Sequence, residues 1–383
     1  MARKKVEEEA ELTEPEIQKR IQGAFKVLDE CNPLATLMKS AQSNIETYDS
    51  TGCYALDALI SGKLVGGGFP EGRMSVLAAP SSVGKSYIGV RTAALAQQKG
   101  KYVVIFDSEY AINNTFCSNL GLDLGKCKYF PVKSIEQCKN AIYNFLDFVI
   151  KQGLQGKFFI LVDSLGAMIS ELDFKRAENE NNAADMGTYA KSLRQMIVML
   201  ANMAGQSKTT VICTNHIYNN PNAMFPSIEK NQRGGEAVKY YPSTVVQLSA
   251  KKIKEGDKEI LHGEEVTGSS KDAVGIAITA IQIKSRICRP YITCNMYLSW
   301  RNGLSKMYGL VEMAEEFGII VNHSGRLYQI MEDGTEKLLG YRKDVEFSEE
   351  ILTPLLPVIQ KGVDDNWTYK ANNFIKEIEN DAR

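Results

Sequence analysis

The sequence is poor in histidine, and its cysteines are not arranged as metal ligands. Of 383 residues, 3 are histidine and 8 are cysteine, and no two cysteines form a C-x-x-C pair. A zinc site or another Cys/His metal site is therefore not expected. Cysteines that stand in apolar runs favour reduced thiols over disulfides, so we expect a cytoplasmic protein.

Long apolar runs and a strong net charge are also missing. No stretch approaches the roughly 18 apolar residues of a membrane-spanning helix, and the first residues lack the apolar core of a signal peptide. We therefore expect no membrane partner and no secretion. The formal net charge is −1, so any surface for nucleic acid must be a local one.

What the sequence does have is the composition of a globular protein. It is 44% hydrophobic and 24% charged, which is ordinary for a chain that folds around a core. Its length predicts one large domain with smaller appendages.

The stretch 79–86 is the strongest motif. It follows a short apolar run, 74–78, that predicts a buried strand, and it precedes a helical segment, 87–98. A strand, a glycine-containing turn, Lys-Ser and a helix form the setting in which backbone amides bind phosphates. There Lys85 reaches the outer phosphates and the Ser86 hydroxyl holds Mg²⁺. The predicted nucleotide-binding residues are Ala79, Pro80, Ser81, Ser82, Val83, Gly84, Lys85 and Ser86.

One position departs from the usual G-x-x-x-x-G-K-[ST] pattern, because Ala79 replaces the first glycine. Alanine tolerates positive φ poorly, so we expect the first turn of the loop to differ slightly. The alternative explanation of the motif is a chance Gly-Lys-Ser at a helix start. The strand before the motif and the helix after it favour the phosphate loop.

Apolar strands alternate with helical patterns after this loop. Strands are predicted at 102–106, 158–162 and 209–213, with helices at 133–150 and 193–204. This alternation predicts an α/β fold with a mostly parallel central sheet and helices on both faces. Ligands bind such sheets beyond the carboxyl ends of the strands.

Three polar residues follow these strand ends. Asp163 closes an apolar strand, where an aspartate orients Mg²⁺ opposite the loop serine; its alternative role is to cap the next helix. Glu109 can polarise a water that attacks the terminal phosphate, or it is a surface carboxylate. His216 can sense that phosphate, although a lone histidine is more often structural.

A later predicted strand, 276–283, is followed by the cations Lys284 and Arg286. Cations that a second subunit supplies to a phosphate stabilise the transferring charge. The alternative is a solvated strand end.

Two long segments, 171–189 and 217–236, have sequences typical of mobile loops. A structureless stretch of this length inside an α/β domain is unusual unless it is functional. The second segment combines the apolar pair Met224 and Phe225 with cations and two adjacent glycines, which suits a strand of nucleic acid. The charges of both segments nearly balance, so composition alone gives this interpretation weak support.

The two ends of the chain are predicted as separate segments. Thr13 and Glu16 form a capping-box pattern that starts a helix with one apolar face. This face packs on its own core or on a neighbouring subunit. The predicted domains are an N-terminal helix and linker at 1–42, a core at 43–308, and a C-terminal helix, hairpin and acidic helical appendage at 309–383.

Together these motifs resemble the RecA family of recombinases, and most closely the phage recombinases of the UvsX type. The resemblance runs from about residue 43 to 320. Its motifs are Ser50-Thr51-Gly52, Pro70-Glu71-Gly72-Arg73, Phe106-Asp107-Ser108-Glu109-Tyr110, Val162-Asp163-Ser164, Thr214-Asn215-His216, Met224-Phe225, Gly234-Gly235 with Ala237 and Lys239, and Lys284-Ser285-Arg286. Hexameric helicases share the core but not the loop with its Gly-Gly-x-Ala-x-Lys exit.

The predicted catalytic residues are Lys85, Glu109, His216, Lys284 and Arg286, and the predicted metal residues are Ser86 and Asp163. By the resemblance, Glu109 looks like the glutamate that activates water, Asp163 matches the Walker B aspartate, and His216 occupies the position that senses the γ-phosphate. A histidine there, rather than a glutamine, is similar to the UvsX type. Lys284 and Arg286 match the paired cations that reach the ATP of the neighbouring subunit.

The resemblance also implies binding residues. Asn113 and Phe116 fall where the family holds adenine, and the bacterial protein has Asp and Tyr at these positions. The DNA-binding loops lie at about 172–186 and 217–236. Their implied DNA-binding residues are Lys175, Arg176, Gly187, Met224, Phe225, Lys230, Arg233, Gly234 and Gly235.

The implied function is that of an ATP-dependent DNA recombinase that uses Mg²⁺. Such a protein forms helical filaments on single-stranded DNA, pairs that strand with homologous duplex DNA and exchanges strands. A single-stranded DNA-binding protein and a loading mediator are implied partners, and a phage-encoded chain would act in the bacterial host cytoplasm. Two alternatives stay open, namely a RecA-core hexameric helicase or DNA motor, and a binding-only recombination mediator.

Overall fold

A computed structural model of the chain describes residues 13–32, 35–38, 43–178, 187–218, 230–254 and 273–369. The helices are α1 (Glu14–Cys31), α2 (Tyr54–Ser61), α3 (Lys85–Gln98), α4 (Asn114–Asn119), α5 (Ile135–Lys151), α6 (Glu171–Glu178), α7 (Thr188–Ser207), α8 (Ala237–Tyr240), α9 (Leu310–Glu316), α10 (Arg342–Val345), α11 (Glu349–Leu352) and α12 (Leu356–Asn366). The strands are β1 (Tyr48–Asp49), β2 (Phe69–Pro70), β3 (Met74–Ala79), β4 (Tyr102–Asp107), β5 (Cys127–Pro131), β6 (Phe158–Asp163), β7 (Thr210–Tyr218), β8 (Asn231–Gln232), β9 (Thr244–Lys254), β10 (Ala273–Ser285), β11 (Thr293–Ser299), β12 (Gly303–Leu304), β13 (Ile320–His323), β14 (Arg326–Ile330) and β15 (Glu336–Tyr341). None of the described helices is long and apolar enough to cross a bilayer.

The chain divides into two units, Met1–Asn44 and Ile45–Arg383. In the first unit, α1 begins with the capping box that the sequence predicts. The backbone N–H and the hydroxyl of Thr13 donate to the Glu16 carboxylate at 3.0 and 2.8 Å, which pairs groups left over at the helix end. No residue of α1 is buried. Its apolar face, formed by Ile17, Ile21, Phe25 and Leu28, is exposed.

The second unit is built on one large sheet. Its strand order is β12-β11-β10-β9-β3-β7-β6-β4-β5, and β8 pairs with β7 outside this path. From β9 to β5 the neighbouring strands are parallel, whereas β9 to β12 are antiparallel. The mostly parallel α/β sheet is therefore confirmed, and an antiparallel extension lies at one edge.

The central strands are buried on both faces. Leu77 and Ala79 of β3 join a core with α2 and α3, whereas Val76 and Ala78 join a second core with α5 and α7. Because side chains alternate between the two faces of a strand, every position of β3 must be apolar or small. This requirement explains the unbroken apolar runs that predict these strands.

The chain from α9 to α12 packs into the first of these cores. Leu310, Val363 and Trp367 are buried there together with residues of α2 and α3. The strands β13, β14 and β15 form a separate antiparallel sheet, and β14 and β15 form a hairpin within the segment 309–383, where the sequence predicts one. The buried residues of α9, α10, α11 and α12 thus belong to the main core, and the part of the predicted appendage after residue 369 lies outside the described residues.

Candidate nucleotide-binding and catalytic site

The phosphate loop lies between the carboxyl end of β3 and the first turn of α3. Ala79 is the last residue of β3, where it is buried and pairs with His216 of β7. The positive φ angles of the loop fall at Ser82 (62°) and Gly84 (94°), so glycine is needed at the second of these positions. Alanine fits this strand position without a positive φ, and a slight difference of the first turn from loops that begin with glycine stays a prediction.

Lys85 opens α3, and its ammonium group points back into the loop. Its Nζ donates to the carbonyl oxygens of Ala79 at 3.1 Å and Pro80 at 2.8 Å. Burial lowers the pKa of Lys85, against the opposing effect of the negative charges on Asp163 and Glu109. A cation beside a helix N-terminus favours phosphate at this point.

Asp163 lies at the end of β6, opposite Ser86. Its carboxylate accepts hydrogen bonds from the hydroxyls of Ser86 and Thr214, and the residue is 2% exposed. Burial raises the pKa of Asp163, and the charges of Glu109 and Asp107 add to that effect against the two hydrogen bonds. A carboxylate in contact with a hydroxyl fits Mg²⁺, a hard cation that completes its shell with waters and phosphate oxygens.

Glu109 is held by two neighbours through one oxygen. The Ser164 hydroxyl donates to Oε1 at 2.6 Å, and Nε2 of His216 lies 2.9 Å from the same atom. Burial tends to raise the pKa of Glu109, but these two hydrogen bonds and the charge of Lys85 hold it below its usual range. Neither contact uses Oε2, so an ionised oxygen is left for the proton of a water molecule.

Asp107 builds the turn that presents Glu109. Its carboxylate accepts from the backbone N–H groups of Glu109 and Tyr110 at 2.9 Å each and of Ile112 at 3.0 Å. Tyr110 has a φ of 56°, an unusual conformation that these bonds support. Asp107 is therefore a structural residue that shapes the turn before Glu109. In the sequence, its position two residues before Glu109 could have indicated this role.

A cavity of about 470 Å³ brings most of the predicted site residues together. Its lining consists of Ser81, Ser82, Gly84, Lys85, Ser86, Tyr87, Glu109, Phe116, Asp163, His216, Ile276, Leu298 and Trp300. Asn113 is not part of this lining, since it caps α4 by accepting from the Phe116 N–H at 2.9 Å. Tyr87 and Trp300 also line the cavity, although no sequence motif indicates them.

The predicted cations Lys284 and Arg286 lie near the amino ends of the parallel strands, opposite the ends that carry the phosphate loop. Lys284 pairs with Val245 of β9, and Val245 pairs with Val76 of β3. Val76 lies three residues before the end of β3, which is about 10 Å along a strand. The structure therefore does not bring the two cations to the phosphate loop of the same chain.

The two cations share one partner. Lys284 and Arg286 both donate to the carbonyl oxygen of Tyr240. Burial and the charge of Arg286 lower the pKa of Lys284 to about 8. Within the described ranges neither side chain forms an ion pair with a carboxylate. Two adjacent cations without a carboxylate suit a phosphate group from elsewhere.

Comparison with known proteins identifies the family. The RecA N-terminal domain family matches residues 19–305, well over half of the chain. The chain belongs to the RecA family. Members of this family are DNA-dependent ATPases that act as recombinases with ATP and Mg²⁺, so the predictions of fold, activity and cofactors are confirmed.

Three proteins named Protein RecA show how far the similarity extends. The protein of Thermotoga neapolitana is 28% identical over 277 residues, or 72% of this chain and 72% of its own. The protein of Chlorobaculum tepidum is 28% identical over 298 residues, which cover 78% of this chain and 77% of that protein. The protein of Streptomyces venezuelae is 27% identical over 319 residues, which cover 82% of this chain and 77% of that protein.

In this RecA-family chain, the strand that carries His216 continues toward the second predicted DNA loop. The sequence predicts a structureless stretch at 217–236, which is wrong at both ends. Strand β7 runs on to Tyr218 and pairs with β8 in an antiparallel ribbon. The Arg233 N–H donates to the carbonyl oxygen of His216 at 3.3 Å, and Asn215 Nδ2 donates to the carbonyl oxygen of Arg233 at 3.0 Å.

The residues after this ribbon are anchored on α7. The Arg233 guanidinium lies 5.3 Å from the ring centre of Tyr189. Gly234 has a φ of 102°, and a Cβ there would lie 2.2 Å from a methyl carbon of Leu193, so only glycine fits. The Lys230 N–H donates to the side chain of Gln247 at 2.9 Å. Met224 and Phe225 lie outside the described residues.

The first predicted DNA loop is shorter than its sequence suggests. Residues 171–178 form α6, and Arg176 pairs with Asp173 at 3.3 Å within it. Lys175 also lies on α6, whereas Gly187 precedes α7 with a φ of 87°. Residues 179–186 lie outside the described ranges.

Proposed function

We propose that this RecA-family recombinase forms a helical filament on single-stranded DNA and hydrolyses ATP between neighbouring subunits. One observation carries the proposal. Lys85, Glu109 and Asp163 lie at the carboxyl ends of the parallel strands, whereas Lys284 and Arg286 lie near the amino ends of those strands. One subunit cannot place both sets on one nucleotide, so a head-to-tail contact between subunits completes the site, and we propose that this contact does not close into a ring.

The roles of the residues follow from their contacts. The loop amides and Lys85 bind the phosphates, and Glu109 takes the proton of the attacking water through Oε2. Ser86 and Asp163 would hold Mg²⁺, which supplies positive charge to the phosphate oxygens. Lys284 and Arg286 of the next subunit stabilise the charge that develops as the terminal phosphate leaves.

Phe116 and Trp300 provide aromatic surfaces for the base of ATP. Both line the cavity of the phosphate loop and an adjoining cavity of about 520 Å³. Planar rings favour stacking on a planar base. The Asn113 side chain caps α4 by accepting from the Phe116 N–H. We therefore propose that Asn113 holds Phe116 in position and does not contact the base.

His216 links hydrolysis to DNA. Its ring contacts Glu109, and its carbonyl oxygen accepts from the N–H of Arg233 at the exit of the second loop. A phosphate that draws the His216 ring from Glu109 shifts the strand that ends in that loop. ATP binding and DNA binding therefore favour the same arrangement of β7.

We also propose contacts with neighbouring subunits and with partner molecules. The exposed apolar face of α1 docks on an adjacent subunit, because burying that face is favourable. Pairing with homologous duplex DNA and strand exchange follow on the filament. A single-stranded DNA-binding protein and a loading mediator assist it, and the chain is of the phage UvsX type.

Electron microscopy with single-stranded DNA, with and without ATP, tests the filament. We expect helical filaments when both are present, and an ATPase rate that DNA increases at least about tenfold, as expected for a site completed by assembly. Closed rings under the same conditions would favour the helicase alternative. An ATPase rate that DNA does not change would contradict the recombinase proposal and favour a binding-only mediator.

The second loop is tested by Phe225→Ala. We expect the Kd for single-stranded DNA to rise about tenfold, because a lost stacking contact costs roughly 1–3 kcal/mol. Affinity for nucleotide without DNA should not change. Fluorescence anisotropy of labelled DNA measures the effect, and Leu338→Ala, at an exposed position of β15, is the control. Equal DNA affinity in Phe225→Ala and the control would place the DNA contact elsewhere.

A further inference from the structure

The turn between β11 and β12 carries Trp300 to the nucleotide cavity. The two strands pair through Leu298 with Leu304 and through Ser299 with Gly303. The Ser299 hydroxyl accepts from the backbone N–H groups of Arg301 and Asn302 at 3.1 Å each. Trp300 is 57% exposed, so packing of its own side chain does not hold this turn against the cavity.

Tyr87 supplies a contact that does hold it. Tyr87 Oη accepts from the backbone N–H of Leu304 at 3.2 Å. The backbone of Gly303 approaches so closely that a Cβ there would lie 2.4 Å from Oη. Gly303 also has a φ of 76°, so two independent features require glycine at the point of contact.

Tyr87 lies between the phosphate loop and the aromatic residues proposed to bind the base. It follows Lys85 and Ser86 directly in the first turn of α3. Its side chain lines both the cavity of the phosphate loop and the adjoining cavity, as do Phe116 and Trp300. A residue fixed to the phosphate-binding helix therefore contacts the backbone that carries one aromatic wall.

We propose that Tyr87 is a positioning residue that sets the place of Trp300 relative to the phosphate loop. It tunes affinity for the nucleoside part of ATP and takes no part in the hydrolytic step. The inference rests on the proposed place of the base beside Trp300. It does not depend on the proposed role of Glu109, because no hydrogen bond links Tyr87 to that side chain in the described part of the chain.

Tyr87→Phe keeps the ring and removes the acceptor oxygen. We expect the Kd for ADP and the KM for ATP to rise about two- to tenfold, the range that the loss of one hydrogen bond gives. The kcat at saturating ATP should stay within about twofold of the wild-type value. Tyr143→Phe, at an exposed position of α5, is the matched control.

Tryptophan fluorescence gives a readout that a loss of stability would not mimic. The chain has 2 tryptophans, and Trp367 is buried at 2% exposure, far below Trp300. ADP should change the emission of Trp300 in the wild-type protein, and this change should be smaller in Tyr87→Phe. Thermal unfolding should be similar in both proteins.

A double-mutant cycle with Gly303→Ala tests the contact itself. The added methyl group should weaken ADP binding in the wild-type protein and weaken it less in Tyr87→Phe, where Oη is absent. Additive effects would overturn the inference. Unchanged ADP affinity in Tyr87→Phe would also overturn it, provided that Trp300→Ala weakens binding. If Trp300→Ala binds ADP normally, the proposed place of the base is wrong instead.

Discussion

Glu109→Gln is expected to lower DNA-stimulated ATP turnover by about 10²- to 10⁴-fold, the usual contribution of a general base. Glutamine has nearly the same shape and keeps an oxygen that can accept from Ser164, but it cannot take a proton from water. ATP binding and filament formation should persist, because phosphate binding depends on Lys85 and the loop amides. Filaments of the variant should therefore survive longer in ATP than those of the wild-type protein.

Steady-state phosphate release measures turnover, and a fluorescent ATP analogue measures binding. Glu332→Gln makes the same chemical change on an exposed turn and is the control for it. Normal turnover in Glu109→Gln would remove Glu109 from the catalytic role. Loss of nucleotide binding would instead assign it a structural part in the loop.

Lys284→Ala combined with Arg286→Ala is expected to lower turnover about 10³-fold in the assembled state, the scale seen when a cation supplied across an interface is removed. Both residues lie near the amino ends of the parallel strands, whereas the phosphate loop of the same chain lies at the carboxyl ends. The residual rate of dilute protein without DNA should not change. An equal loss in that unassembled state would contradict a role across the interface.

Mixing two inactive proteins makes this test sharper. The double variant keeps Lys85, and Lys85→Ala keeps the two cations. If the site is shared between subunits, mixed filaments contain some complete sites, and ATPase activity returns in part. If all these groups act within one subunit, no mixture is active. The exposed β9 lysines Lys251 and Lys252 provide a matched double-alanine control.

The parts of the site that sequence predicts are those fixed by local rules. The phosphate loop is a continuous segment, so its strand, turn and helix are all visible in 74–98. Glu109, Asp163 and His216 follow the ends of predicted strands, and parallel strands bring their carboxyl ends to the same side of the sheet. Their convergence follows from topology, without knowledge of any side-chain contact.

What the sequence does not predict depends on contacts between distant segments. Trp300 reaches the cavity through the antiparallel extension β10–β12, which no local pattern connects to Tyr87. The two-residue strand β8 exists because it pairs with β7. Burial of Trp367 with residues of α2 likewise joins the C-terminal segment to the core, although its acidic composition is typical of a separate appendage.

The ribbon of β7 and β8 has a further consequence for how such a recombinase can diverge. It fixes the two ends of the intervening stretch, Tyr218 and Asn231, side by side. The entropic cost of closing a loop between fixed ends grows only with the logarithm of its length. That stretch can therefore be lengthened, shortened or replaced while His216 keeps its place against Glu109. Under the proposed DNA contact of this stretch, preference for a DNA partner and the chemistry of ATP hydrolysis become separately inheritable traits.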